Sequence, residues 1–304
     1  MNTITRSGFL RSVGGLMVVP GLLSNLSRKV DPKFSFSTLG CPDWDLPQVI
    51  EFASAHQYKA VEIRGLMREL DLSKSKHFNS PASIAETKKM FSDKNIAIAG
   101  LGASCELHYK DPSVRQKNLD EAKRFIVIAE KLGAPMVRVF PNRFLKDIPR
   151  DESITLISER LRELGNHAVG SGVRVLMETH GDLLLSDDLL TIMQSSGNEN
   201  TGLVWDVANM WSKYKEPPLT VYNKLKNYIY HSHIKDVKMN NNDEKIVLLG
   251  RGDVPVFEAM DIMNKNGFRG YFSFEWEKLW NPELEAPEVA FADFSKVVAE
   301  HFRR

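Results

Sequence analysis

Short apolar runs recur along the chain, and the longer segments between them carry apolar residues at helical spacing. The run at 173–180 (VRVLMETH) is largely apolar until it ends in a carboxylate and an imidazole. Three later runs end in the same manner: 202–206 (GLVWD), 228–233 (YIYHSH) and 271–275 (YFSFE). Earlier runs lie at 34–39, 60–64, 96–101 and 136–140. Asp45 is placed to cap a helix to His56, and Asp111 with Pro112 opens another to Leu132. Further helices are expected over 83–93, 151–169, 186–194, 255–266 and 287–302. Polar or irregular loops are expected at 65–80, 102–110 and 211–218. A polar tip at 240–243 between two short apolar runs predicts a hairpin over the mouth. Strands that alternate with helices and load chemistry at their ends predict an α/β fold, the (β/α)8 TIM barrel.

Composition sets the frame. A chain of 304 residues, 42% apolar and 26% charged, is ordinary globular material. One barrel takes about 250 residues, so a single domain over 31–304 with an N-terminal extension over 1–30 is expected. A net charge of +1 argues against a nucleic-acid partner held through its phosphates. Two cysteines, Cys41 and Cys105, are too few for a disulfide framework.

Residues 1–30 read as a signal-like segment. Arg6 and Ser7 stand where a twin-arginine motif has two arginines, and an apolar stretch follows at 13–23. That stretch is too short for a stable membrane span, which needs about 20 apolar residues, but it suits an export signal. The expected location is the periplasm or cell envelope, with a cytoplasmic enzyme carrying an amphipathic N-terminal helix as the alternative.

A carboxylate at the end of an apolar strand is costly unless paired or metal-bound. Taken alone, each such group also fits a solvated rim residue or a partner of Arg64, Arg138 or Arg251. Together, Glu178, Asp206, His233 and Glu275 make a mixed oxygen and nitrogen set suited to one divalent ion, Mn, Co, Fe, Zn or Mg. An ion there is expected to grip adjacent substrate oxygens and stabilise an enediolate, with Glu178 and Glu275 expected as the catalytic pair that moves the proton. Trp44, Trp211 and Trp280 are candidate stacking platforms, and alternation places Trp205 and Trp276 on the outward face.

The pieces METH (177–180), WDVAN (205–209), HSHIKD (231–236), LGRGDVP (249–255) and FEWEKLWNPEL (274–284) occur in an order that resembles the sugar phosphate isomerase/epimerase family of xylose-isomerase-like barrels. The resemblance runs from about Phe34 to the C-terminus. It implies a metal-dependent isomerase or epimerase of carbohydrate metabolism, with Glu178, Asp206, His233 and Glu275 as ligands. It also implies a small carbohydrate substrate contacted by Glu62, His180 and Arg251, and a possible homo-oligomer. One departure stands out. Asn209 occupies a position where many members carry a substrate-contacting His, so it hydrogen-bonds at best and moves no proton near neutral pH. His231 is expected one layer below His233, as an outer partner to the site. A lyase or dehydratase acting on 3-keto-sugars or 3-keto-glycosides through the same carbanion is the near alternative. A sugar-binding barrel without turnover and an endonuclease-IV-like nuclease are more distant ones.

Overall fold

The computed structural model describes residues 31–240 and 243–303. Seven strands come first: β1 (Lys33–Ser37), β2 (Ala60–Ile63), β3 (Ala97–Glu106), β4 (Met136–Phe140), β5 (Arg174–Glu178), β6 (Thr201–Asp206) and β7 (Ile229–Ile234). An antiparallel hairpin, β8 (Asp236–Asn240) and β9 (Asp243–Val247), follows at once. Then β10 (Tyr271–Phe274) pairs with both β7 and β1 and closes an eight-stranded parallel barrel. The expected TIM barrel is the observed fold.

Nine helices are described: α1 (Leu46–Ala55), α2 (Pro81–Asp93), α3 (Pro112–Leu132), α4 (Arg150–His167), α5 (Ser186–Ser196), α6 (Val207–Tyr214), α7 (Pro218–Leu225), α8 (Val256–Lys265) and α9 (Pro287–Arg303). Local chemistry starts several of them. Asp45, Ser80 and Asp111 each accept a hydrogen bond from the first helical turn, and a proline follows. Among the described residues no helix is long and apolar enough to cross a membrane. The expected export segment, 1–30, lies outside the described residues.

Closure is sealed by aromatic packing. Phe291 of α9 stacks on Phe36 of β1 with centroids 4.3 Å apart, and Phe294 stacks on Phe274 of β10 at 4.5 Å. Trp205 and Trp276 are buried on this outer face, as alternation requires. Trp44 is also buried, against Phe52 and Phe291, so it is core and not a stacking platform.

The barrel interior is different in kind. Its apolar floor is a small cluster of Met136, Leu176 and Val204, one residue each from β4, β5 and β6. Two residues further along each of these strands stand Arg138, Glu178 and Asp206, all buried. Strand periodicity thus raises one polar layer directly on the floor.

Two expected loops are regular structure. β3 runs on to Glu106 through a register shift against β4, where a loop from 102 was expected. The expected loop at 211–218 is helical to Tyr214, with α7 opening at Pro218. The hairpin forms as expected, and 241–242 of its tip are not described.

Candidate metal centre and active site

Glu178 ends β5, Asp206 ends β6, His233 is the penultimate residue of β7, and Glu275 follows β10. The structure brings all four together. One ligand atom from each lies within 4.8 Å of the others, and all four residues are buried. His233 Nδ1 is 3.1 Å from Glu275 Oε1 and 3.6 Å from Glu178 Oε1.

The set fits a divalent ion. His233 Nδ1, Glu178 Oε2 and Asp206 Oδ2 are buried without a hydrogen-bond partner. Two of these atoms face only an ion-pair partner, Arg138 or Lys235, and three buried atoms without a hydrogen bond in one cluster of oxygen and nitrogen donors suit a shared divalent ion.

Beneath the cluster, Glu62 organises the histidines. Its carboxylate meets His233 Nε2 at 3.0 and 3.1 Å and His231 Nε2 at 3.0 Å, and Ser273 donates to it at 2.7 Å. Burial pushes the Glu62 carboxyl up, but His233 and His231 outweigh this and hold it well below the carboxylate range. An ionised Glu62 only accepts, so Nε2 of His233 carries a proton, and on loss of the proton at Nδ1 the ring would offer that lone pair to an ion in the cluster. Both Glu62 oxygens are thus engaged by His231, His233 and Ser273 inside the barrel.

Cations hold the carboxylates from outside. Arg138 Nε lies 3.1 Å from Glu178 Oε2. Lys235 Nζ lies 2.8 Å from Asp206 Oδ2, 2.9 Å from Glu275 Oε2 and 2.6 Å from Glu277 Oε1. The Asp206 and Arg138 contacts are ion pairs without hydrogen-bond geometry, which is why Asp206 Oδ2 and Glu178 Oε2 remain unsatisfied. Burial and Glu275 raise the Glu178 pKa, yet His233 and Arg138 bring it below the usual value. Glu275 is raised by burial and brought well below the usual value by His233 and Lys235. Asp206 goes the other way. Burial lifts its carboxyl to about 7 despite Lys235, with Glu275 and Glu178 adding to the rise.

Lys235 was not expected in the site. Its only sequence signal is its place two residues after His233, on the same inward column of the strand. Asp236, next in line, turns outward and accepts from the backbone N–H of Gly250 at 2.9 Å and Gly252 at 2.8 Å. It thereby ties the loop after the hairpin to the end of β7.

A cavity of about 370 Å³ lies next to residues that contact the cluster, a size suited to a small molecule. Its lining includes His180, Asn209, Lys235, Glu244, Lys245 and Glu277. Lys235 and Asn209 connect it to the ligand set, since the Asn209 N–H donates to Asp206 Oδ1 at 2.8 Å. His180 is fixed by Asn142, with Nδ1 2.8 Å from Oδ1. His180 and Asn209 are thus both in this lining, whereas the Arg251 side chain is not among the lining residues; it is 60% exposed and pairs with Asp293 of α9 at 2.9 Å. A larger cavity of about 500 Å³ lies at the opposite end, where Met136 and Leu176 of the floor meet surface cations such as Arg174 and Arg269. Barrel enzymes keep their chemistry at the strand C-termini, so the smaller cavity is the relevant one.

Solved structures share the architecture. The probable 3-DHS dehydratase AsbF from Bacillus anthracis superposes with a TM-score of 0.73 at 16% identity, over 88% of this chain and 98% of that one. The IolI protein with a binding zinc atom gives 0.74 at 20% identity, over 88% and 97%. A D-tagatose 3-epimerase-like protein gives 0.69 at 19% identity, over 89% and 97%. At these identities the likeness shows the fold. No curated protein matches the sequence. The family profile described as xylose isomerase-like TIM barrel matches residues 50–292, and the chain belongs to that family.

Proposed function

We propose that this chain is a divalent-metal-dependent isomerase or epimerase acting on a sugar or sugar derivative. The observation that carries this reading is the convergence of four buried ligand groups, three of them with an atom lacking a hydrogen bond, beside a polar cavity. Glu178, Asp206, His233 and Glu275 would hold the ion, which when bound supplies Lewis-acid polarisation of a substrate carbonyl.

The protein's own groups supply the rest. Glu178 and Glu275 each have one oxygen held by a cation, Arg138 or Lys235, and the other turned toward His233. That fixes both carboxylates in orientation. Both are held below the usual carboxylate range, so both begin ionised and either is ready to take a proton from the carbon beside the carbonyl. The carboxyl that returns a proton on the opposite face draws it from the cavity. Asn209 and His180 orient hydroxyls at the rim.

His180 supports a second reading. With Nδ1 engaged by Asn142 and the ring lining the cavity, its other nitrogen would serve to protonate a group leaving from the next carbon. The same deprotonation then ends in elimination, which describes a 3-keto-sugar lyase or a dehydratase.

The deciding experiment incubates metal-loaded protein in D₂O with ketoses, aldoses and 3-keto-sugars. Deuterium at the carbon beside the carbonyl, followed by isomer or by eliminated product, separates the two readings. Full metal occupancy with no exchange in any sugar would remove both.

A further inference from the structure

Arg64 lies one residue beyond β2 and two beyond Glu62, on the same inward column but one layer nearer the mouth. It is 5% exposed. Its Nη2 donates to Ser104 Oγ at 3.1 Å, whereas Nη1 is buried with no partner. An unpaired donor on a buried cation is rare and calls for an explanation.

Several features hold this side chain in place. Thr38 Oγ1 accepts from the Arg64 backbone N–H at 3.0 Å and donates to Gly65 O at 2.6 Å. Gly65 itself turns the chain at a φ of +144°, which other residues rarely adopt. Across the barrel wall Gly102 leaves the space that the guanidinium stem fills. A Cβ there would stand 2.5 Å from Arg64 Cδ and 2.9 Å from Arg138 Nη2. Ser104 is steadied in turn by Glu121, which accepts from its N–H at 2.6 Å. Burial and Arg138 depress the Arg64 pKa to about 9, while Glu121, Glu178 and Glu275 support its charge, so it remains cationic at neutral pH. The guanidinium is thus fixed within the field of both proposed catalytic glutamates, with the Nη1 donors uncommitted.

We propose that Arg64 Nη1 donates to the substrate oxygen on which negative charge builds when the neighbouring carbon loses its proton. This rests on the proton-transfer reading above. Nη2 belongs to both two-pronged edges of the guanidinium fork, so with Nη2 committed to Ser104 the remaining Nη1 suits a single developing oxyanion better than the paired oxygens of a phosphate or carboxylate group. A donor aimed where charge develops acts on the barrier more than on ground-state binding.

The test uses Mn²⁺-loaded protein and glycolohydroxamate, a planar mimic of an enediolate, with binding measured by calorimetry. Wild type should bind it, and Arg64→Met should weaken binding by roughly 10–100-fold with Mn²⁺ affinity retained. Gly102→Ala, which keeps the charge but displaces the side chain, should weaken it in the same direction. Equal hydroxamate affinity in wild type and both variants overturns the role of Arg64 and leaves the proposed function standing. Absence of binding in Mn²⁺-loaded wild type overturns both. Inorganic phosphate bound by wild type as tightly as the hydroxamate, and lost in Arg64→Met, also overturns it, because Arg64 would then hold a permanent anion.

Discussion

His233 Nε2 lies 3.0 Å from Glu62 Oε1 with both side chains fully buried, and the opposite ring nitrogen faces Glu275 at 3.1 Å. One imidazole therefore joins the carboxylate layer inside the barrel to the proposed ligand set. Removing such an outer partner lowers metal affinity by about 10–100-fold. Glu62→Gln is expected to do so, with turnover at saturating metal much less affected. Competition with a chelator measures the first quantity. A raised KM with unchanged metal affinity would instead return Glu62 to the substrate side.

Metal affinity is expected to depend on pH with a defined sign. Asp206, lifted to about 7 chiefly by burial, carries a proton below that pH in the metal-free protein, and binding must displace it. His233 is lowered by burial but raised well above its usual value by Glu275, Glu62 and Glu178, so its proton also leaves. Affinity should therefore climb with pH, and proton release per ion should be greater below about pH 7, where Asp206 is protonated, than above it. Calorimetry in buffers of different ionisation enthalpy counts these protons. No release at pH 6 would refute the assignment.

Glu275→Gln at saturating metal is expected to retain the ion through the other three groups and to lose about 10²–10⁴ in kcat. Glu178→Gln should weaken the metal and turnover together. Solvent exchange of the substrate proton distinguishes them, since one variant should still exchange without forming product. Near-normal turnover in both variants would leave the glutamates as ligands only.

Arg251→Ala should leave KM and kcat within about twofold and stability within about 0.5 kcal/mol, the scale of an exposed ion pair. Its 60% exposure and its partner Asp293 place it away from the cavity. A tenfold rise in KM would show that it swings inward on substrate binding.

The barrel was legible along the chain because each strand announces itself locally, by a short apolar run bounded by turn residues. The four ligand candidates were legible for a related reason. A carboxylate or imidazole at the tip of an apolar strand is conspicuous without knowing its neighbours. Glu62 was legible only as an inward residue, since the histidine it holds, His231, is 169 residues away, and that contact exists once β10 has closed the ring. Lys235 carried no sequence reading of its own, since its role exists only once closure sets three carboxylates around it. Arg251 was named for substrate contact only through the family resemblance, and the loop tied down by Asp236 carries it to Asp293 of α9. Periodicity and end residues are properties of neighbours in the chain. Which charges face one another across a barrel depends on strand order, register and loop path, and these are settled only when the sheet closes.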